Sequence, residues 1–503
     1  MMLTRIEVVA RLTFNACVVF FSIRVSGCQK LLNSKWSPRT SIAIVIFVTV
    51  LVRGAFLATH LDQFNQDPDA YRAIAETLSA TGVFGLRDGN NPEGIRPAKA
   101  TAFRPPLYPY VLSFLTVDGV VSPHLVGLLH LLLSVVTVLC TLSVSQRLID
   151  RGKIGPATLL AAALVIFDPI LLQQSSLVMT ETLATALASI VVWFWACKLT
   201  HRPSFVNAMV FGGLLSLAYL CRPTFLVWAV LMLLATLAGI DGKWTKRLSC
   251  FTAATMIVIC TMGLWMARNV RAIGNPIWAT THGGYTLLLA NNPSFYDYLR
   301  NRSVGEVWDA EPFLLAYSHR RDGDPTTSKF WHRDWSQPSE TTHQISNEAE
   351  IPELTEIPEL TEIGGQETEV SMDDDQLAYE AARATIRRNP AMFVWSCFVR
   401  VGRLWSPMPH LTPGRSRVPL VAVTTYYTLI YLALLVGVLR LGREIFKPHW
   451  WAILALVVTL SAVHAVYWSN LRMRAPASIG LAVLAASSIV RRAGNKSDKD
   501  SGK

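Results

Sequence analysis

Two carboxylates, Asp67 and Asp69, stand two residues apart in the stretch Gln66-Asp67-Pro68-Asp69-Ala70-Tyr71. A carboxylate held against an apolar surface has its pKa raised toward the range where it can take a proton from a hydroxyl. Pro68 disfavours helix at Asp67. The spacing of Tyr71, Ile74, Ala75 and Leu78 predicts a helix just beyond. Asp69 is placed to cap that helix, a role weighed evenly against catalysis. Asp67 is not needed for the cap, which makes it the stronger general-base candidate.

Arginines supply the other half of such chemistry. Arg104 precedes Pro105-Pro106 on stiff backbone that leads into an apolar helix. A guanidinium can hold a phosphate by two parallel hydrogen bonds. The plainer reading of Arg104 is a side chain snorkelling at the bilayer surface. Arg268 and Arg271 close one apolar block, and Thr281-His282-Gly283-Gly284-Tyr285 follows it. His464, Tyr467, Asn470, Arg472 and Arg474 lie between two others. Carboxylates and arginines together at a membrane surface suit a phosphate-bearing lipid. Arginines would stabilise the departing phosphate while a carboxylate deprotonates an acceptor hydroxyl.

The elements that must position these groups are apolar helices. Of 503 residues, 51% are hydrophobic and 16% charged, below the charged share usual in soluble domains. Blocks at 41–58, 124–145, 156–172, 177–197, 205–220, 224–240, 249–267, 418–440, 450–468 and 475–490 approach or reach spanning length. In hydrocarbon a single spanning segment satisfies its own backbone only as a helix. The expectation is an all-α polytopic membrane protein of about ten spans. Lys and Arg in alternate short loops place both ends inside. The chain then divides into an N-terminal arm (1–40), a transmembrane core (41–267) with a first outer loop (59–123), a large outer loop (268–417), C-terminal helices (418–490) and a basic cytoplasmic tail (491–503).

The formal charge of +11 follows the positive-inside pattern rather than a nucleic-acid surface. Residues 335–382 hold thirteen of the acids and no Lys or Arg, and Ile351–Glu356 repeats directly as Ile357–Glu362. This acidic segment reads as a solvated insert. Residues from 376 resume a helical pattern whose apolar second half should lie along the outer interface. The eight cysteines form no disulfide framework and no metal-ligand spacing.

The chain resembles the GT-C superfamily of multi-spanning glycosyltransferases, in particular bacterial enzymes similar to aminoarabinose transferases and protein O-mannosyltransferases. The motifs that carry the resemblance run in order: DPDAYRAIA from Asp67, GVFG from Gly82, FRPPLYPYVL from Phe103, SSLVMTETLA around Glu181, Cys221-Arg222-Pro223, MARNVRAIGNP with THGGYTLLLANNP, and LRMRAPASIGLAVLAA. They cover nearly the whole chain outside the arm and the acidic insert.

The resemblance implies inverting transfer of a sugar from a polyprenyl-phosphate carrier to a lipid, glycan or protein acceptor. The site would face the outer, periplasmic side of a bacterial cytoplasmic membrane. It places Asp67 as the catalytic base, with Asp69 beside it. Tyr71, Arg104, Arg268, His464, Arg472 and Arg474 would bind substrate or its phosphate. No metal ligand is assigned, because Phe103 stands where aminoarabinose transferases carry an acidic ligand. No cofactor is assigned, and a divalent cation stays open. Two other classes compete: a lipid or solute transporter or flippase, and a surface-polysaccharide polymerase or ligase.

Overall fold

In the computed structural model, residues 37–87, 98–301, 307–319, 372–409 and 417–490 are described. The N-terminal arm up to residue 36, the hexapeptide repeat, most of the acidic insert and the basic tail lie outside the described residues.

The architecture is helical, with two short hairpins as its only strands among the described residues. Helix α1 (Pro38–Ala58) starts where the Ser37 hydroxyl accepts from the Thr40 amide at 3.2 Å. Its outward residues Phe47 and Leu51 are exposed, as lipid-facing positions are. Its inward Arg53 is buried, with Nη2 donating to the Val165 carbonyl at 2.6 Å and Nη1 to Leu171 at 3.3 Å. The segment between α1 and the core folds as a 3-10 turn (Leu61–Asn65), helix α2 (Tyr71–Thr81), hairpin β1–β2 (Gly85–Arg87, Ala98–Ala100), helix α3 (Leu107–Ser113) and hairpin β3–β4 (Thr116–Val117, Val120–Val121).

The core continues with α4 (Pro123–Leu148), α5 (Pro156–Ile166), α6 (Pro169–Gln174), α7 (Glu181–Phe194, extended by a π turn to Leu199), α8 (Phe205–Cys221), α9 (Phe225–Gly239) and α10 (Trp244–Ile273). Helices α8 and α10 approach closely at Gly212. A Cβ there would lie 2.5 Å from the Ala254 carbonyl oxygen, so only glycine allows the contact. Buried indoles tie these helices to the C-terminal bundle. Trp228 Nε1 donates to the Ala452 carbonyl at 3.1 Å and Trp195 Nε1 to Pro448 at 2.7 Å.

The large loop supplies α11 (Gly283–Ala290), α12 (Pro293–Asn301), α13 (Glu311–His319), α14 (Met372–Arg388) and α15 (Pro390–Leu404). The chain ends with α16 (Arg417–Leu441), α17 (Trp451–Val466), a 3-10 segment (Leu471–Ala477) and α18 (Ser478–Ala486). Among the described residues, six helices are long and apolar enough to cross a membrane: Pro38–Ala58, Pro123–Leu148, Glu181–Leu199, Trp244–Ile273, Val418–Phe446 and Pro448–Val466. Three further apolar blocks form the shorter helices Pro156–Ile166, Phe205–Cys221 and Phe225–Gly239. The last block is broken into a 3-10 segment and buried α18, packed inside the bundle. The protein is a helical, integral, multi-pass membrane protein.

Candidate active site

Helix α2 shows how the two loop carboxylates divide their tasks. The chain turns back at Ala70, whose φ of 56° lies in the left-handed region. That turn swings Asp67 over the start of the helix. Its Oδ1 accepts from the Arg72 amide at 3.0 Å and its Oδ2 from the Ala73 amide at 2.8 Å. One carboxylate thus serves two of the amides that a helix start leaves without partners. Burial pushes the Asp67 carboxyl up to about 6, and these two amide bonds pull it back. Here the sequence expectation is reversed: Asp67 is the cap, and Asp69 is not. The left-handed turn at Ala70 is what brings the earlier carboxylate, Asp67, over the helix start.

Asp69 instead faces a cavity of about 1380 Å³ between the first loop, the core and the large loop. Asp67 is not on its wall. Arg104 donates from Nε to the Asp69 carbonyl at 2.7 Å and from Nη2 to the Asp69 Oδ1 at 3.1 Å. Its guanidinium lies 4.3 Å from the Phe103 ring centre and 5.5 Å from that of Tyr71, which gives it two aromatic faces. Tyr71 also lines the cavity, and its ring meets Tyr108 edge-on at 5.5 Å. Burial pushes both phenols up, so both stay protonated. The Tyr108 hydroxyl reaches His130 Nε2 at 2.9 Å, and His130 Nδ1 reaches the Ser175 carbonyl at 2.8 Å. This chain ties the loop to the α6–α7 junction.

That junction presents Glu181, the first residue of α7, to the same cavity. Its Oε1 lies 2.6 Å from Arg222 Nη2 and 3.7 Å from Arg472 Nε. Arg222 Nε donates to the Thr180 hydroxyl at 2.9 Å, which fixes the guanidinium in place. Arg472 and His464 are both on the cavity wall, and His464 Nδ1 lies 3.0 Å from the Trp468 carbonyl.

Two expected phosphate ligands sit elsewhere. Arg268 donates to the carbonyls of Thr101 at 2.7 Å and Phe84 at 2.5 Å, with Phe84 and Trp265 on its faces. Arg474 is buried, with Nη1 donating to the carbonyls of Leu404 at 3.1 Å and Ser406 at 2.6 Å. Its guanidinium lies 3.9 Å from the Tyr427 ring centre. Neither lines the cavity. Both brace backbone that leads toward it. The reason is local: Arg472 and Arg474 sit two residues apart on a 3-10 segment of about three residues per turn, so they point in different directions.

The large loop adds groups that sequence reasoning did not place in the site. The Asp375 Oδ1 on α14 accepts from the Gly284 amide at 2.7 Å, at the start of α11. A Cβ on Gly284 would lie 2.0 Å from the Asp375 carbonyl oxygen, so glycine is what lets the helices dock. Burial pushes the Asp375 carboxyl up to about 6. His282 lines the cavity with its ring edge-on to Phe103 at 5.1 Å. Burial first, then the Arg104 charge, holds His282 well below the usual range, so its imidazole is neutral at pH 7. Its Nδ1 is buried with no hydrogen-bond partner among the described residues. The signals for these groups were present as a Gly-Gly pair after His282, an acidic run at Asp373–Asp375, and Glu181 and Arg222 at apolar block ends.

Among the described residues no three His, Cys, Asp or Glu are grouped to hold a metal ion. Asp69 and Glu181 each face arginine instead.

No family model matches the chain, and no curated protein matches it. It is similar to the solved oligosaccharyltransferase AglB of Archaeoglobus fulgidus, in complex with an inhibitory peptide and a dolichol-phosphate, at 13% identity and a TM-score of 0.46. That match covers 89% of this chain and 49% of the archaeal one, so this chain spans about half the length of AglB. It is also similar to ArnT of Cupriavidus metallidurans bound to undecaprenyl phosphate, at 13% identity and a TM-score of 0.36, covering 90% of this chain and 79% of that one. The site rests on its own geometry and not on these likenesses.

Proposed function

We propose that the protein is a membrane glycosyltransferase of the GT-C type. It transfers a sugar from a polyprenyl-phosphate carrier to an acceptor at the outer face of a bacterial cytoplasmic membrane. The observation that carries this reading is the convergence of a cavity-facing carboxylate, Asp69, with the arginines Arg104, Arg222 and Arg472 in one cavity. These groups come from parts of the chain far apart in sequence.

In this reading Asp69 takes the base role first expected of Asp67, because both Asp67 oxygens hold amides of α2. The acceptor oxygen attacks the anomeric carbon, the bond from that carbon to the phosphate oxygen breaks, and the configuration inverts. The acceptor proton passes to the Asp69 carboxylate. The phosphate departs with the bonding pair, and Arg104 and Arg472 stabilise its charge. Tyr71 and His464 shape the pocket around it. No step requires a metal ion; dependence on a divalent cation is read directly by adding a chelator. The test is binding of decaprenyl phosphate to the purified protein in nanodiscs. Saturable binding weakened by Arg104→Ala and Arg472→Ala supports the reading. Absence of binding overturns it.

A further inference from the structure

The hairpin β3–β4 keeps one apolar face exposed among the described residues. Asp118 and Gly119 form its tip with φ of 52° and 81°, the left-handed pair that a tight two-residue hairpin turn takes. The register pairs Thr116 with Val121 and Val117 with Val120, and partners across a ribbon point to the same side. One side faces the protein. Val121 is buried, its amide donates to the Glu76 carboxylate at 2.9 Å, and the Thr116 and Ser79 hydroxyls meet at 2.7 Å. The other side carries Val117 and Val120, 53% and 49% exposed, and Phe114 just before the hairpin is 84% exposed. Helix α3 divides in the same way. Tyr108 and Leu112, four residues apart, are buried, while Tyr110 and Phe114 are exposed.

The place of this face in the fold says what covers it. The Ser122 amide donates to the Leu115 carbonyl at 3.0 Å, so the hairpin is rooted one residue before α4, which is long and apolar enough to cross a membrane. From Pro123 to Arg147, the charge in its last turn, α4 rises by roughly 36 Å against a hydrocarbon core of ~30 Å. With Arg147 among the headgroups, Pro123 lies at the opposite hydrocarbon boundary. Leu132 and Leu128 form an exposed row on α4 that runs toward the hairpin, so its apolar face continues a lipid-facing surface.

Charge settles how the contact is made. Between residues 105 and 123 the one charged side chain is Asp118, and there is no Lys or Arg. Attraction to anionic headgroups therefore does not hold this segment, and apolar burial does. The Asp118 carboxylate and the unpaired outer edges of a two-stranded ribbon limit the depth. Both are tolerated among headgroups and are costly in hydrocarbon.

We infer that Phe114, Val117 and Val120 insert into the bilayer at the boundary of headgroups and acyl chains and anchor the segment between α1 and α4 to the lipid. Helix α3 starts directly after Arg104-Pro105-Pro106, so the anchor also fixes the height of Arg104 near that boundary. The inference stands apart from the glycosyltransferase reading.

The test puts a bimane label on Phe114→Cys and, separately, on Val120→Cys in the full-length protein in phosphatidylcholine nanodiscs. The unsubstituted protein, labelled alike, is the blank for the native cysteines. Both positions are exposed, so neither substitution opens the core. Lipid carrying a nitroxide high on its acyl chain should quench both labels. Iodide in the water should quench them several-fold less than it quenches free bimane-cysteine. Adding phosphatidylglycerol should change neither result. Absence of lipid quenching at both positions overturns the inference, whether iodide reaches the labels or a protein surface shields them. Lipid quenching that appears only with phosphatidylglycerol also overturns it.

Discussion

Arg104 grips Asp69 twice, by backbone and by side chain, with Nε at 2.7 Å from the Asp69 carbonyl and Nη2 at 3.1 Å from its carboxylate. The double contact aims the carboxylate into the cavity beside the arginine that would meet the phosphate. In the proposed reaction, base and leaving-group partner are thereby set in one unit. Asp69→Asn keeps the shape and removes the proton acceptor. Transfer should fall by roughly 10²- to 10⁴-fold, the usual worth of a positioned base, while decaprenyl phosphate binding is retained. Loss of binding and transfer together would mean that Asp69 serves the fold alone.

Asp67 answers to a different measurement. Asp67→Ala removes the cap on α2 and should cost about 1 kcal/mol of stability, seen as a lower melting temperature. Asp67→Asn keeps one amide-accepting oxygen and should retain most of the activity that Asp69→Asn loses. Equal inactivation by the two asparagine variants, with unchanged melting temperatures, would return the base role to Asp67.

Arg472 and Arg474 should separate in the same way. Arg474→Met removes three hydrogen bonds around the 3-10 segment and should cost on the order of 2 kcal/mol. It lowers the yield of folded protein. Arg472→Lys should leave the melting temperature near the wild-type value and weaken decaprenyl phosphate binding, because lysine loses the planar fork. Reversed outcomes would place Arg474 at the phosphate.

The docking of α14 on α11 carries a pH signature. The Asp375 carboxyl is pushed up from 3.8 to about 6 in the folded protein, mainly by burial. Between those values the folded state binds more protons than the unfolded one, so this group makes stability rise as pH falls from 7 to 4. Asp67 contributes in the same direction and the same window. Asp375→Asn should reduce the difference in melting temperature between pH 5 and pH 7.5. An unchanged difference would show that Asp375 does not titrate in that window.

The fold was legible in the sequence because hydrocarbon forces its signal: the apolar blocks appear as helices from Pro38 to Ala486. Helices as short as Pro156–Ile166 show why block length alone does not give spans. Within the site, residue type was legible and direction was not. Asp69, Tyr71, Arg104, His464 and Arg472 converge on one cavity, while Asp67, Arg268 and Arg474 turn to backbone. The swap between Asp67 and Asp69 depends on a left-handed Ala70, a conformation that alanine does not advertise. Glu181 and Arg222 read as isolated charges at block ends until the fold pairs them at 2.6 Å.

The proposed reaction moves a sugar off a polyprenyl phosphate in this cavity. Mass spectrometry of envelope lipids and glycans, in native cells with the wild-type chain or Asp69→Asn as the sole copy, tests it most directly. The predicted result is loss of one sugar from an acceptor, with accumulation of the polyprenyl-phosphate form of the same sugar. Identical glycans and carrier lipids in the two strains would contradict it.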